Sequence, residues 1–172
     1  MKIKYTVDNV EHVELSASGE QSMNLQMTAD EIKAAIGPER VANLEKLAAY
    51  LERGELRAKF DMIRFCAVNH KYSTECGAVG CMVGHGPYAG IAKSEDEEWN
   101  GYSKRVFAPK SDNADSLWKW LFCMGWAGTD NTPEGGAARI RWTLTHGLPA
   151  DWSGQIVGDA PLCYRSESCQ TF

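Results

Sequence analysis

"TADEIKAAIGPERVANLEKLAAYLERG", Thr28 to Gly54, reads as two successive helices meeting at one glycine, and it sets the fold class. Thr28 can cap the first helix. Glu31, three residues on, completes a capping box that would satisfy N–H groups left free in the first turn. Gly37 ends that helix, and Pro38 stands where a first helical residue can lack its N–H. From Pro38 onward Val41, Leu44, Ala48 and Leu51 fall on one face at helical spacing, with Leu47 widening the stripe. Glu39, Arg40, Glu45, Lys46 and Glu52 take the other positions, and Gly54 is a natural stop. A stripe of that width needs a partner, so the rest of the chain has to supply a core.

Toward the N-terminus the pattern changes from helical to alternating. Ile3, Tyr5 and Val7 are separated by polar residues, and Val10, Val13 and Leu15 form a second, less regular run. Ser22 to Met27 gives a short third one, after a small polar break over Ser16 to Ser22. These runs predict a small antiparallel β ribbon.

Toward the C-terminus, "FDMIRFCAVNHKYSTECG" (Phe60 to Gly77) is too broken for a long element. "KSEDEEWNGYSKRVF" follows an acidic run with a helical face of Trp99, Tyr102 and Val106. "ADSLWKWLFCMGWAG" leaves hardly any polar side across Leu117, Trp118, Trp120, Leu121, Phe122 and Met124, as in a buried central helix. "DNTPEGGAARIRWTLTHG" announces a last helix: Thr132 as N-cap, Pro133 as first residue, Glu134 suited to the dipole, and Ala137, Ile140 and Leu144 facing inward. Residues 153–172 show little periodicity and are expected to lie irregularly over the surface. The expected architecture is α+β: a ribbon and short helix over 1–37, a helical core over 38–152 and an irregular tail over 153–172.

Bulk properties narrow the function classes. At 172 residues the chain can bury a real core without metal or disulfide staples. Its 44% hydrophobic and 24% charged residues are those of an ordinary globular protein. A net charge of −5 with scattered basic residues argues against wrapping nucleic acid. No apolar run approaches the ~18 residues of a membrane span, and the N-terminus lacks the charged head and apolar block of a secretory signal. A cytoplasmic location with reduced thiols is the expectation for the six cysteines.

The chemistry-bearing stretch is "ECGAVGCMVGHGP", Glu75 to Pro87. If it is helical from Gly77, then Gly77, Gly80, Cys81 and Gly84 form one nearly bare face. Glycine inside a helix costs roughly 1 kcal/mol relative to alanine, and the favoured compensation is close approach of another segment, the tryptophan-rich helix. A structural zinc site is the second reading, with Cys76, Cys81 and His85 as ligands and His70 or Cys66 to close the set. The third is a thiol nucleophile of a hydrolase or transferase. There Cys76 is activated at a helix N-terminus, His146 is the base, and Asp151 or Asn131 orients it. Capping explains Asp130 and Asn131 in "DNTP" better than ligand binding does, though both suit an anion or ligand. Glu95, Asp96, Glu97 and Glu98 could draw a basic partner. "GHGPYAGI" has neither the preceding strand nor the lysine of a phosphate loop.

In combination, "NLEKLAAYLE", "FDM", "CGAVGCMVGHGPYAGI", "GYSKRVF", "LWKWLF", "WAGTDNTPEGGAARI" and "LTHGLPADW" resemble a family of small uncharacterised proteins of phages, prophages and proteobacterial genomes. The resemblance runs from Asn43 to Trp152. It carries no activity and therefore transfers no catalytic residue. It implies a compact, mainly helical intracellular domain serving a mobile element as an accessory protein. With no complete catalytic constellation in the sequence, the expected role is a non-catalytic interaction protein without a cofactor. It would modulate a host or defence component by protein binding, through the ribbon edge or the acidic run.

Overall fold

The protein is described by a computed structural model over residues 25–63, 79–109 and 114–166. The first strand, β1, spans Leu25–Thr28 and runs directly into α1, Ala29–Ile36. The capping box is fully formed. Thr28 Oγ1 accepts from Glu31 N at 3.3 Å, and Glu31 Oε2 accepts from Thr28 N at 2.8 Å. Gly37 turns the chain at φ 81, a conformation that suits glycine, and α2 covers Pro38–Glu52 with proline in its first turn.

The chain then forms β2 (Lys59–Phe60), β3 (Val79–Gly80) and the single-turn α3 (Met82–His85), followed by a 3-10 turn at Pro87–Ala89. Beyond it lie α4 (Trp99–Val106), α5 (Ala114–Phe122), α6 (Trp126–Thr129) and α7 (Pro133–His146). The last elements are β4 (Gly147–Pro149), α8 (Trp152–Val157) and α9 (Cys163–Ser166). The fold is α+β, a helical core with a small antiparallel sheet, as the periodicities predict.

The centre is the packing of α2 on α7, the most extensive helix pair. Leu44, Leu47, Ala48 and Leu51 of α2 are wholly buried, as is Ile140 of α7, with Ala137 at 1% exposure. Burying each leucine is worth about 1.5–3 kcal/mol relative to leaving it in water. The ends of α1 and α7 are joined by the sheet: β1 pairs antiparallel with β4, Met27 opposite Leu148 and Thr28 opposite Gly147. Gly147 holds φ 117, and a Cβ there would run into the Met27 carbonyl, so the crossing requires glycine. A second contact of two strands, parallel, sets Lys59 opposite Val79 and Phe60 opposite Gly80.

Aromatic side chains fill the far side of α7. Trp120 donates from Nε1 to Thr143 Oγ1 at 2.8 Å, and Trp126 Nε1 donates to the Trp120 carbonyl. Trp120, Trp126 and Tyr164 meet edge to face, with centroids 5.2–6.0 Å apart.

Three expectations need correction. The helix expected from Gly77 begins only at Met82: Val79–Gly80 is extended and paired with β2, and Cys81 is extended at ψ 177. Glycine is a poor helix former, and the Lys59–Phe60 strand offers this backbone an extended partner instead. Gly80 and Cys81 therefore do not share a bare helix face with Gly84, and Gly77 lies outside the described residues. Met124, read as part of the buried tryptophan helix, lies beyond its end and is 62% exposed. The C-terminal tail is not irregular throughout: up to residue 166 it holds α8 and α9, joined by an irregular link over 158–162, and Tyr164 is 3% exposed. Of the N-terminal ribbon, only Leu25 to Met27, the end of the last run, falls within the described residues, and it belongs to β1.

Candidate functional site

Two polar side-chain centres are buried in the fold. The first is built by the "DNTP" turn. Thr132 is the N-cap of α7, its Oγ1 accepting from Gly135 N at 3.0 Å, which explains the threonine-proline start. Asp130, two residues earlier, is turned inward and only 2% exposed. Its carboxylate accepts from Thr132 Oγ1 at 2.8 Å and Tyr164 Oη at 2.9 Å, and pairs with Arg165 Nη2 at 2.7 Å.

Arg139, one helical turn past Gly135, is wholly buried behind that carboxylate, with Nη1 3.8 Å from Oδ2. Its Nη1 also donates to Tyr164 Oη at 3.3 Å, and Nη2 reaches Met82 Sδ at 3.5 Å. The guanidinium lies 4.1 Å from the centroid of the Trp126 ring, which spreads its charge over an aromatic face. Burial pushes the Asp130 carboxyl up. Hydrogen bonds from Thr132, Arg165 and Tyr164, with the nearby Arg139 charge, outweigh that and hold it below its usual value. Burial raises the Tyr164 phenol, so it remains the donor.

Asn131 ties this turn to "FDM": its Oδ1 accepts from Met62 N at 2.7 Å, and its Nδ2 donates to Asp61 Oδ1 at 3.0 Å. Asp61 N in turn donates to the Gly80 carbonyl. Three motifs distant in sequence thus converge beside α7. The geometry spends the polar atoms of Asp130 and Asn131 on internal bonds.

The second centre is His85 at the end of α3. It is wholly buried, stacked on Phe60 with centroids 5.8 Å apart and flanked by Tyr50 and Tyr88 at 5.9 and 6.1 Å. Burial lowers its pKa to about 4, against a smaller opposing pull from the Gly80 backbone. By hydrogen-bond geometry neither ring nitrogen has a partner among the described residues. The imidazole is therefore neutral at pH 7.

Several of the remaining candidates are not described. Cys76, His70, Cys66 and Cys169 lie outside the described residues. Cys81 is buried at the start of α3. Among the described residues, no group of three histidines, cysteines or carboxylates is placed to hold a metal ion. His146 stacks on Trp142 at 5.0 Å, with Nδ1 3.2 Å from the Trp142 carbonyl. Asp151 accepts from Gln155 Nε2 at 2.8 Å, and Gln155 Oε1 accepts from Cys163 N at 3.0 Å, so this carboxylate braces α8 and α9. Burial pushes the Cys163 thiol up to about 11, which leaves it protonated at neutral pH.

Glu95, Asp96 and Glu98 are exposed, whereas Glu97 turns back. Its carboxylate takes two hydrogen bonds of 2.7 Å from Arg105 Nε and Nη2, which hold it below its usual pKa. Ser94 N also donates to Glu97 Oε2 at 3.3 Å, closing the loop on itself.

Sequence reading missed Arg139 and Tyr164. An arginine beside the inward Ile140 looks solvent-facing. The available signal was the run Gly135-Gly136-Ala137-Ala138, whose small side chains leave space around the first turns of α7.

Comparison with known protein families, curated proteins and solved structures finds no match to this chain. Among the described residues, no helix is long and apolar enough to cross a membrane.

Proposed function

We propose that this chain is a non-catalytic, cytoplasmic protein-binding factor, an accessory protein of a mobile element that engages a host or defence component through the Ser94–Glu98 loop. The observation that carries this reading is the division of labour among four acidic residues. Glu97 is used inward, clamping the loop to Arg105, while Glu95, Asp96 and Glu98 remain exposed on a braced backbone. A loop held in one shape presents its charge to a basic partner with little ordering cost on binding, and charge of one sign steers encounter and selects partners.

The test is capture from the native host with the tagged chain and with Glu95→Lys/Asp96→Lys. The expected result is one defined partner retained by the unaltered chain at low salt, lost at high salt and lost by the charge-reversed variant. Recovery of the same partner by both chains would overturn the reading, as would no partner at all.

A structural-zinc reading through Cys76, Cys81, His85 and His70 draws on one feature. His85 is buried and neutral, with no hydrogen-bond partner at either nitrogen among the described residues, the protonation state in which imidazole ligates metals. Metal analysis of purified protein tests it: stoichiometric zinc, with unfolding on chelation, is the expected result, and metal-free folded protein rejects it.

A further inference from the structure

On a solvent-facing flank of α1 and α2, at the edge of the core stripe, lies a shallow groove of about 450 Å³, lined by Lys33, Ala34, Pro38, Val41, Ala42 and Glu45. Its α2 wall is a single ridge, because Pro38, Val41, Ala42 and Glu45 follow at i, i+3, i+4 and i+7. Ala34, Pro38 and Ala42 are exposed and small, and Val41 is half-buried, one side against the core and the other open to the groove. Lys33 and Glu45 are both exposed, and neither belongs to an ion pair among the described residues.

We infer that this face is the contact surface for a second copy of the chain, with α2 packed antiparallel on its symmetry mate. A two-fold axis between Val41 and Ala42 sets Val41 of one copy against Ala42 of the other, and Pro38 against Glu45. Lys33 shares the groove with Pro38, so it meets Glu45 of the second copy, and the axis generates the same pair again. One apolar strip is then flanked by two ion pairs of opposite sense. A two-fold interface must be its own complement in this way. The small side chains at 34, 38 and 42 let the helices approach at the short end of the usual 8–10 Å separation. The dimer carries two copies of the Ser94–Glu98 loop, which raises avidity for any partner able to engage both.

Sedimentation of the full chain, across micromolar to submillimolar concentrations, tests this with Lys33→Glu, Glu45→Lys and the double exchange. The unaltered chain is expected to dimerise reversibly. Each single reversal places like charges together twice and should raise the dissociation constant about tenfold or more. The double exchange restores both pairs and should return it to within about threefold of the original. Ala42→Arg, at the crossing point on an exposed position, should abolish the dimer with an unchanged circular dichroism spectrum. A monomer at every concentration overturns the inference, as do single reversals without effect or a double exchange no better than the singles. Such an outcome leaves the acidic-loop reading standing, because that is tested by Glu95 and Asp96 alone.

Discussion

Asp130 and His85 are both ionisable, both buried, and stabilised in opposite ways. Asp130 keeps its charge inside the protein because four groups converge on it: Thr132, Tyr164, Arg165 and, at 3.8 Å, Arg139. His85 has no such company and remains buried by giving up its charge, among Phe60, Tyr50 and Tyr88. A low-dielectric interior accepts an ionised group only when the groups around it replace water. Where they do not, it accepts the neutral form and becomes sensitive to pH.

The sharpest way to break this contrast is Asp130→Ala. It strips the buried Arg139 of its carboxylate and should cost about 3–5 kcal/mol in urea unfolding. Asp130→Asn keeps part of the hydrogen bonding without the charge and should fall between that variant and the original. An Asp130→Ala variant of unaltered stability would mean that Arg139 needs no counter-charge.

His85 predicts the next largest effect, and only in acid. Its folded pKa, about 4, lies below the unfolded value of 6.5. Its contribution is therefore complete above pH 6.5 and is lost as pH falls toward 4. Between pH 7 and pH 4.5 the loss should reach about 2–3 kcal/mol. It should vanish in His85→Phe, which leaves no ring nitrogen to protonate. Asp130 has its folded pKa below 3.8, so its share is lost only at pH values under that figure. Denaturant midpoints across this range separate the two centres. Equal pH slopes in both proteins would reject the role of His85.

Gly135 sharpens the Asp130 side further. A Cβ there would overlap the Asp130 carboxylate, so Gly135→Ala should cost about 1–3 kcal/mol by displacing it. The smallest effect belongs to an exposed pair. Arg141 donates from Nε and Nη2 to Glu52 at 2.9 and 3.0 Å, linking α7 to α2, yet both side chains are nearly half exposed. Glu52→Gln should cost under about 1 kcal/mol and less at high salt. Thermal unfolding of the two variants ranks them.

Legibility in the sequence follows the range of the interactions. Thr28 and Glu31 bond across three residues, and Thr132 caps Gly135 across three, so the starts of α1 and α7 are written where they occur. Trp99, Tyr102 and Val106 repeat at helical spacing, so the buried face of α4 was legible too. The "DNTP" stretch was half legible. Its capping threonine was plain, but the carboxylate before it is bonded by Tyr164 and Arg165, 34 and 35 residues away. Tyr164 enters the core as a single anchor from a four-residue helix, and one inserted side chain leaves no periodicity behind.

The glycine-cysteine stretch erred in the same direction. Its spacing fits a helix face, but Val79–Gly80 finds an edge at Lys59–Phe60, and pairing across that distance overrides the local pattern.

Helix ends, the α2 stripe and the α+β class thus follow from neighbours along the chain, because caps and 3.6-residue periodicity act within a turn or two. The burial of Arg139, the partners of Asp130 and the neutral state of His85 follow from neighbours in space. Their energies depend on which groups exclude water from them, and that is settled only when α7, α3 and α9 have closed on one another.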